Sequence, residues 1–340
     1  MTTPRDAGFR MPFEGDRHAR TWMQWPSRPP LWSGSIDRAK AAYAAVANSI
    51  ARFEPVTMLA NEADLKEVRG ACGAAVTPMA VPLDDSWARD SGPTFLVDGQ
   101  GAVAGADWVF NAWGDKYPDH THDAEVATHV LAGLGIRRFE APFVLEGGSI
   151  HVDGEGTLLT SEQCLLNPNR NPSLNRAEIE ANLCAWLGVR TVVWLGQGLE
   201  NDDTDGHVDN LACFARPGVV LASVCHDPAD ANHAPLADNL RRLKSARDAQ
   251  GRPFEVIELP IPAPRENEGG RLALNYVNFY LANGAVIAPA FDDPMDRVAA
   301  ETLARVFPDR MIVQVPALDI LAGGGGIHCI TQQQPAGSGT

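Results

Sequence analysis

The sequence predicts an α/β protein in which one unit, made of a β-hairpin, a helix and a strand, recurs five times. Four hairpin turns are centred near Gly99, Gly154, Gly218 and Gly284, so their spacings are 55, 64 and 66 residues. No stretch rich in Pro, Gly and Ser divides the chain. We therefore expect a single domain over residues 1–340, closed as a five-bladed, pseudo-symmetric α/β propeller.

The hairpins share one pattern, in which two β-rich runs flank a glycine-containing turn. They are PTFLVDGQGAVAGADWVF, SIHVDGEGTLLTSEQCLL, NLACFARPGVVLASVC and VNFYLANGAVIAPAF. The fifth hairpin is expected from the chain ends, where TWMQWP near the start would pair with IHCITQQ near the end. This pairing would seal the ring of units.

Between the hairpins, apolar residues recur with helical periodicity. We predict helices at about 36–53, 122–134, 175–187, 235–249 and 294–307. An extended apolar stretch follows each helix and supplies the last strand of the unit: VTMLA, FEAPFVL, VRTVVWL, FEVIELPIP and MIVQVP.

The charge balance argues against a nucleic-acid-binding protein. Asp and Glu number 43 against 28 for Lys and Arg, which gives a net charge of −15. A nucleic-acid partner would require a basic surface. An acidic field mildly favours cationic ligands, although the charge serves solubility equally well.

The remaining composition indicates a cytoplasmic protein that binds no membrane. No apolar run is long enough to span a bilayer, and MTTPRDAGFRMPFEG has no apolar core for a secretory signal. The six cysteines form no CxxC pair and indicate reduced thiols. Short disordered tails are expected at residues 1–8 and 336–340. An assembly of identical chains is left open.

Polar clusters stand just before, or at the start of, the first strand of several hairpins. They are WARDSGP with Asp90, LEGGS with Glu146, DTDGHVDN with His207 and Asp209, and GGGGIHC with Cys329. Because equivalent positions of a ring of units converge near its axis, we expect these side chains to meet in one pocket.

Each cluster also has a simpler interpretation. Asp90 follows Arg89 and could form a local surface ion pair, and Glu146 could tighten the turn that follows it. His207 and Asp209 lie on one strand face, so a metal or a structural hydrogen bond is conceivable. A metal is disfavoured because no second histidine or HExxH spacing accompanies them. The other five cysteines lie in apolar patterns, as buried fillers do.

Carboxylates, an imidazole and a thiol together suit the hydrolysis of a guanidinium group. Carboxylates bind the planar guanidinium in a bidentate manner. The bound cation favours the thiolate, which is otherwise disfavoured beside acids. The histidine can protonate departing ammonia and then deprotonate the water that cleaves the covalent intermediate.

Seven motifs carry a resemblance to a known family. They are DDSWARDSGPTF, FNAWG, VLEGGSIHVDGEGT, LLNPNRNP, DTDGHVDN, YVNFY and GGGGIHCITQQQP. These resemble the agmatine deiminases (agmatine iminohydrolases), a branch of the peptidyl-arginine-deiminase-like, guanidino-group-modifying family with the pentein fold. The similarity covers residues from about 11 to 335.

The resemblance implies a role for each site residue. Cys329 would be the nucleophile, and His207 the general acid and base. Asp90, Glu146 and Asp209 would bind the guanidinium, with Asp209 also orienting His207. Trp87 would line the aliphatic part of the substrate.

The implied reaction converts agmatine to N-carbamoylputrescine and ammonia, a step of polyamine (putrescine) synthesis, through an amidino-cysteine intermediate. It requires no cofactor and no metal. The alternatives are a deiminase of arginine or peptidyl-arginine and a guanidine-binding propeller without catalysis. One departure affects the substrate choice, because the family usually reads GGGNIHC and Gly326 stands here in place of its asparagine.

Overall fold

The structure is a computed structural model that describes residues 2–32 and 36–337. The strands are β1 (His18–Gln24), β2 (Val56–Ala60), β3 (Val76–Ala80), β4 (Thr94–Val97), β5 (Val103–Val109), β6 (Arg137–Val144), β7 (His151–Val152), β8 (Thr157–Ser161), β9 (Thr191–Leu195), β10 (Ala212–Arg216), β11 (Val219–Val224), β12 (Glu255–Pro260), β13 (Glu266–Asn267), β14 (Gly270–Arg271), β15 (Tyr280–Ala282), β16 (Ala285–Ala290), β17 (Met311–Pro316) and β18 (Gln332–Pro335).

Helices alternate with these strands, so the chain has a mixed α/β fold. The helices are α1 (Ile36–Ile50), α2 (Leu65–Ala71), α3 (Ala88–Ser91), α4 (Ala112–Asp115), α5 (Val126–Leu134), α6 (Glu162–Leu165), α7 (Arg176–Leu187), α8 (His233–Ser245), α9 (Met295–Val306) and α10 (Leu318–Leu321). No helix among the described residues is long and apolar enough to cross a membrane.

Four three-stranded sheets share one topology. In the sheet of β4, β5 and β6, the first two strands are antiparallel and the last two are parallel. The same order holds for β7–β9, β10–β12 and β15–β17. A long helix connects the parallel strands in each sheet: α5, α7, α8 and α9. This confirms the predicted hairpin–helix–strand unit.

The fifth sheet joins the two ends of the chain. Its strand order is β18-β1-β2-β3, with β1 antiparallel to β18 and parallel to β2. The pairing of Thr21 with Gln333 and of Trp22 with Gln332 confirms the hairpin expected from the termini. Sequence patterns missed α2 and β3, which extend this sheet because β3 pairs in parallel with β2.

The helix limits follow local hydrogen bonds. Helix α7 begins at a capping box between Asn175 and Glu178 and ends at Gly188, whose φ is 68°. Helix α8 ends earlier than residue 249 because the Asp248 carboxylate accepts the backbone N–H groups of Gln250 and Arg252 and forms a turn. Helix α5 starts at Val126 because residues 123–125 form a 3₁₀ turn before it.

The middle strands of the sheets are buried on both faces. Every residue of β8 and of β11 is buried, which fits the near-continuous apolar runs of strands covered on two sides. Near the start, where we expected a disordered tail, residues 5–7 form a 3₁₀ helix and Phe9 is buried. Within the expected C-terminal tail, Ala336 N–H donates to Arg17 O at 2.8 Å, while residues 338–340 lie outside the described part.

The end strand β18 also binds a buried cation. Arg89 Nη1 donates to Gln333 Oε1 at 2.8 Å, and Arg89 is almost fully buried. Hydrogen bonds to charged groups contribute about 1.5–3 kcal/mol. We therefore expect Gln333→Leu to lower the free energy of unfolding by about 2–3 kcal/mol, measured by urea denaturation.

Gln334→Leu is the matched control, because Gln334 accepts a hydrogen bond from the uncharged Trp22 indole at 3.1 Å. Its loss should be about 1 kcal/mol. Equal losses in the two variants would contradict the role assigned to Arg89.

Candidate active site

The predicted site residues come from four different sheets and meet around Gly148. Asp90 lies in α3 before β4, and Glu146 precedes β7; His207 and Asp209 precede β10. A methyl group added at Gly148 would lie 2.5 Å from His207 Nδ1, 2.9 Å from Asp90 Oδ1 and 3.0 Å from Asp209 Oδ2. No side chain fits at Gly148, which explains why the motif LEGGS contains glycine at this position.

Asp90 is held by two donors. Trp113 Nε1 donates to Asp90 Oδ2 at 3.0 Å and Gly148 N–H donates to Asp90 Oδ1 at 2.9 Å. Burial raises the pKa of Asp90 above its usual range, with Asp209 and Glu146 adding to the rise and His207 opposing it. The surface ion pair between Asp90 and Arg89 does not form, because Arg89 is buried and donates to β18 and to His328 O instead.

The indole of Trp113 reaches Asp90 through an unusual backbone turn. The four residues of α4 have φ values between 50° and 93°, so the turn is left-handed. Asn111 stabilises it by accepting the Gly114 N–H at 3.0 Å. Left-handed angles are strained for residues other than glycine, and such strain concentrates at functional sites. This turn is what the motif FNAWG encodes.

His207 is completely buried between two carboxylates. Its Nδ1 is 3.8 Å from Asp90 Oδ1 and its Nε2 is 3.7 Å from Glu146 Oε2, distances of ion pairs rather than hydrogen bonds. Burial alone would lower the pKa of His207. The charge of Asp90 and the contacts with Cys164 and Glu146 outweigh it and raise the pKa well above its usual value. The two acids beside it thus favour the protonated form of the imidazole.

Glu146 is fixed by an arginine that sequence patterns did not single out. Arg170 Nε donates to Glu146 Oε1 at 2.6 Å, and both side chains are fully buried. Although burial raises it, the Arg170 charge and His207 together bring the pKa of Glu146 below its usual range. The side chain of Glu146 does not cap the following turn, so it is not a turn-forming acid. The motif LLNPNRNP supplies this arginine.

Asp209 is paired with His328 rather than with His207. His328 Nδ1 is 2.8 Å from Asp209 Oδ2, and His328 Nε2 is 2.8 Å from Glu14 Oε2. Burial works against ionisation of Asp209, but the hydrogen bond and charge of His328 lower its pKa. Asp209 is therefore an ionised acid backed by an imidazole.

The thiol of Cys329 lies beside Asp209 and an asparagine. Asn278 Nδ2 is 3.3 Å from the sulfur and Asp209 Oδ2 is 3.7 Å from it. Burial, followed by the charges of Asp209 and Asp90, raises the pKa of Cys329 well above its usual value. The resting thiol is therefore neutral.

Asn278 comes from YVNFY, directly before the first strand of the fourth hairpin. It occupies in this unit the place that Asp90, Glu146, Asp209 and Cys329 occupy in the others. The repeat could have identified it, but an asparagine alone indicates no reaction chemistry.

The glycine loop before Cys329 packs too closely for side chains. A Cβ at Gly325 would lie 2.4 Å from the Trp87 ring, and one at Gly326 would lie 2.3 Å from Asn278 Oδ1. Asn278 Oδ1 uses this space to accept the His328 N–H at 2.9 Å. Gly326, which stands in place of the family's usual asparagine, thus lies in close contact with Asn278.

Cys329 lines a narrow cavity of only about 20 Å³. Trp87 stacks on Trp32 at 5.8 Å between ring centroids and lines the cavity. The full lining consists of Trp87, Asp90, Trp113, Tyr117, Asp203, Thr204, Gly323, Gly324, Gly325 and Cys329. Tyr117 Oη donates to Asp203 Oδ2 at 2.6 Å, so an acid and a hydroxyl form part of the wall.

Cys164 is the one filler cysteine that contacts the site. It is fully buried, as predicted, and its sulfur lies within 4.8 Å of ligand atoms of Glu146 and His207. Its apolar neighbours in the sequence gave no sign of this position.

Comparisons with known proteins extend the similarity over the whole chain. The family model for Porphyromonas-type peptidyl-arginine deiminase matches residues 10–335. The chain is 48% identical to an agmatine deiminase of Pseudomonas aeruginosa, over 98% of each chain. It is 47% identical to an agmatine deiminase of Ectopseudomonas mendocina, over 99% of this chain and 98% of the relative. The structure of the agmatine deiminase of Enterococcus faecalis superposes with a TM-score of 0.97 at 36% identity, over 99% and 98% of the two chains.

The bond between Trp113 and Asp90 predicts a pH effect. Trp113→Phe removes a donor that favours the ionised carboxylate, so the pKa of Asp90 should rise further. A bond worth about 1.5 kcal/mol corresponds to about one pH unit. Because a cation requires ionised Asp90, the acid limb of kcat/KM for a guanidinium substrate should move upward by about one unit.

Trp32→Phe is the matched control, because its ring stacks on Trp87 and its Nε1 makes no hydrogen bond within the described residues. The acid limb of kcat/KM for Trp32→Phe should stay at the pH found for the wild type. A shift of the same size in both variants would refute the link between Trp113 and Asp90.

Proposed function

The chain belongs to the Porphyromonas-type peptidyl-arginine deiminase family, and on this premise we propose that it hydrolyses agmatine to N-carbamoylputrescine and ammonia. One observation carries the proposal: three carboxylates and an imidazole are buried together beside a cysteine thiol. The site therefore requires a cation, and the thiol supplies a nucleophile for the carbon of that cation.

The proposed architecture is a closed five-bladed propeller that forms one domain. Five sheets with a common strand order, and a first sheet made from both chain ends, support it. The site residues come from the start of the first strand in different sheets, which is where blades of a propeller meet.

The carboxylates have separate roles in this scheme. Asp90 and Asp209 bind the guanidinium N–H groups, and the second oxygen of Asp209 has no hydrogen-bond partner in the described part of the chain. Glu146 Oε2 lies 3.7 Å from His207 Nε2, so Glu146 also orients the imidazole. Each contact to the cation is worth about 1.5–3 kcal/mol.

Substrate binding converts the neutral thiol into a nucleophile. The guanidinium offsets the charges of Asp90 and Asp209 that raise the pKa of Cys329, so this pKa falls. The thiol proton passes to Asp209 Oδ2, the charged acceptor at 3.7 Å. The sulfur then forms a bond to the guanidinium carbon.

His207 acts in both halves of the reaction. Protonated His207 gives its proton to the leaving nitrogen, the C–N bond breaks, and ammonia departs from an amidino-cysteine. Neutral His207 next takes a proton from water, whose oxygen attacks the same carbon. The C–S bond breaks, the sulfur regains its proton from Asp209, and N-carbamoylputrescine leaves while one proton is released to ammonia.

The far wall of the cavity supports agmatine over arginine. Asp203 and Tyr117 line it, and an acid with a hydroxyl suits a free amine. Lys116 donates to Asp205 Oδ1 at 3.0 Å, and its Nζ also lies 3.9 Å from Asp203 Oδ1, so these two acids share its charge. Arginine would need a cation for its α-carboxylate, and neither Arg nor Lys is among the described residues that line this cavity.

The scheme uses no cofactor and no metal. We place the enzyme in the cytoplasm, without a nucleic-acid or membrane partner, and leave its assembly into homo-oligomers to measurement.

The first prediction concerns the nucleophile. A haloacetamidine, which carries a planar cation, should alkylate Cys329 much faster than neutral iodoacetamide does, because the cation both binds the acids and favours the thiolate. Saturating agmatine should protect Cys329. Cys329→Ser should abolish turnover and retain agmatine binding.

Peptide mapping provides the check, and the half-buried Cys184 serves as the internal control. Cys184 should show no preference for the cationic reagent. Label on Cys184 or Cys213 with Cys329 unmodified would overturn the assignment.

The second prediction concerns the amine end. Asp203→Asn should raise KM for agmatine about tenfold with little change in kcat, since a charge-assisted contact of about 1.5 kcal/mol is lost. Butylguanidine has the same carbon chain without the amine, and its kinetics should stay within about twofold.

Glu140→Gln, which removes an exposed acid on β6, is the control variant and should leave both substrates unaffected. Equal losses for agmatine and butylguanidine in Asp203→Asn would mean that Asp203 acts on the fold rather than on the amine.

A further inference from the structure

Cys164, Glu146 and His207 form a cluster that the proposed reaction uses only in part. Cys164 lies in α6, whereas the other two residues stand before β7 and β10. One donor atom from each residue lies within 4.8 Å of the other two, and all three side chains are buried. We propose that this cluster binds a thiophilic divalent cation, Zn²⁺ above all, as a reversible inhibitor.

One pair of the three donors already has the spacing of a tetrahedral ion, and the Cys164 sulfur lies within 4.8 Å of both. Zinc bonds to nitrogen and oxygen are about 2.0–2.2 Å long and bonds to sulfur about 2.3 Å. Two ligands on one tetrahedral ion are therefore about 3.3–3.7 Å apart. His207 Nε2 and Glu146 Oε2 are already 3.7 Å apart, so these two atoms need almost no movement.

Glu146 Oε2 and His207 Nε2 also make no hydrogen bond to any described residue. Among residues 2–32 and 36–337, neither Glu146 Oε2 nor His207 Nε2 has a hydrogen-bond partner, although both are buried. Unpaired buried polar atoms are uncommon, and a bound ion is one of the explanations for them. Guanidinium binding explains the acids, but it does not explain a thiol on this side of His207.

Acids lie on both sides of His207 and attract a cation, although Arg170 partly offsets the charge of one of them. Arg170 binds Glu146 Oε1 at 2.6 Å, and Oε2 has no hydrogen-bond partner in the described part of the chain. Asp90 lies 3.8 Å from the opposite nitrogen of His207 and can orient the imidazole, as carboxylates do for zinc-bound histidines. Carboxylate, imidazole and thiolate together are a donor set that zinc prefers.

A second group with similar composition differs in this respect. Glu14, His151 and His328 also lie within 4.8 Å of one another. However, His328 Nδ1 is bonded to Asp209 and His328 Nε2 to Glu14. Its nitrogens are therefore already engaged in the network that supports Asp209.

Inhibition follows from the shared histidine. An ion on His207 Nε2 displaces the proton that this nitrogen would carry in catalysis, and an ion on Glu146 removes an acid from the site. This consequence rests on the proposed function, whereas metal binding itself does not. The closing experiment therefore reads binding and activity separately.

Binding is measured with Cd²⁺, whose bond to a thiolate gives a charge-transfer absorption band. Chelator-treated wild type, Cys329→Ser and the control Cys184→Ser should each show one tight equivalent of this band. Cys164→Ser should lose it. Glu146→Gln retains every thiol and should weaken the binding of Cd²⁺ by at least about tenfold.

Activity is measured with Zn²⁺ and normalised to the metal-free rate of each variant. Wild type should be inhibited, and EDTA should restore its rate. Cys164→Ser should require at least about tenfold more Zn²⁺. Loss of the Cd²⁺ band in Cys329→Ser but not in Cys164→Ser, or no band in wild type, would overturn the proposal. A Cd²⁺ band without agmatine turnover would leave the site intact and refute the proposed function instead.

Discussion

The burial of three carboxylates in one place is the constraint on which the site depends. Each buried charge requires compensation, because the low-dielectric interior penalises an unpaired ion. Arg170 compensates Glu146, His328 compensates Asp209, and protonated His207 lies between Asp90 and Glu146. Because His207 is shared between Asp90 and Glu146, Asp90 has no basic partner of its own, and a planar cation bound there would compensate its charge.

The same buried acids also act on the thiol of Cys329, the proposed nucleophile, and make its reactivity depend on a bound cation. The acids that bind the substrate also keep the thiol neutral, and the glycine loop and Trp87 keep it buried. A neutral, buried thiol reacts slowly with oxidants and with uncharged electrophiles. In the proposed scheme, only a ligand that offsets the acids activates the sulfur, so selectivity for the substrate and protection of the cysteine have one electrostatic cause.

The sequence predicted the repeat, and it predicted that five polar residues meet in one place, because both depend on local signals. Turn glycines mark the hairpins, and the shared position of the acids, the histidine and the thiol before the strands distinguished them from a surface ion pair or a turn-forming acid. Arg170 and Asn278 were missed because such residues are ordinary on surfaces and in loops, and only the folded chain shows them buried at the site. Cys164 was missed for the opposite reason, since its apolar neighbours are typical of core filling. Helix α2 and strand β3 were missed because they are additions to the first sheet that do not recur in the other units.

The pairing of β1 with β18 has a consequence for folding order. Thr21 and Gln333 are 312 positions apart, and closing so long a loop costs chain entropy before any contact compensates for it. Such high contact order makes this pairing a late and slow event. Cys329 lies just before β18, so a partly folded chain has its acids in separate sheets but lacks a positioned sulfur. Enzymatic activity should therefore appear only when the whole chain has folded, so recovery of activity during refolding would measure complete folding.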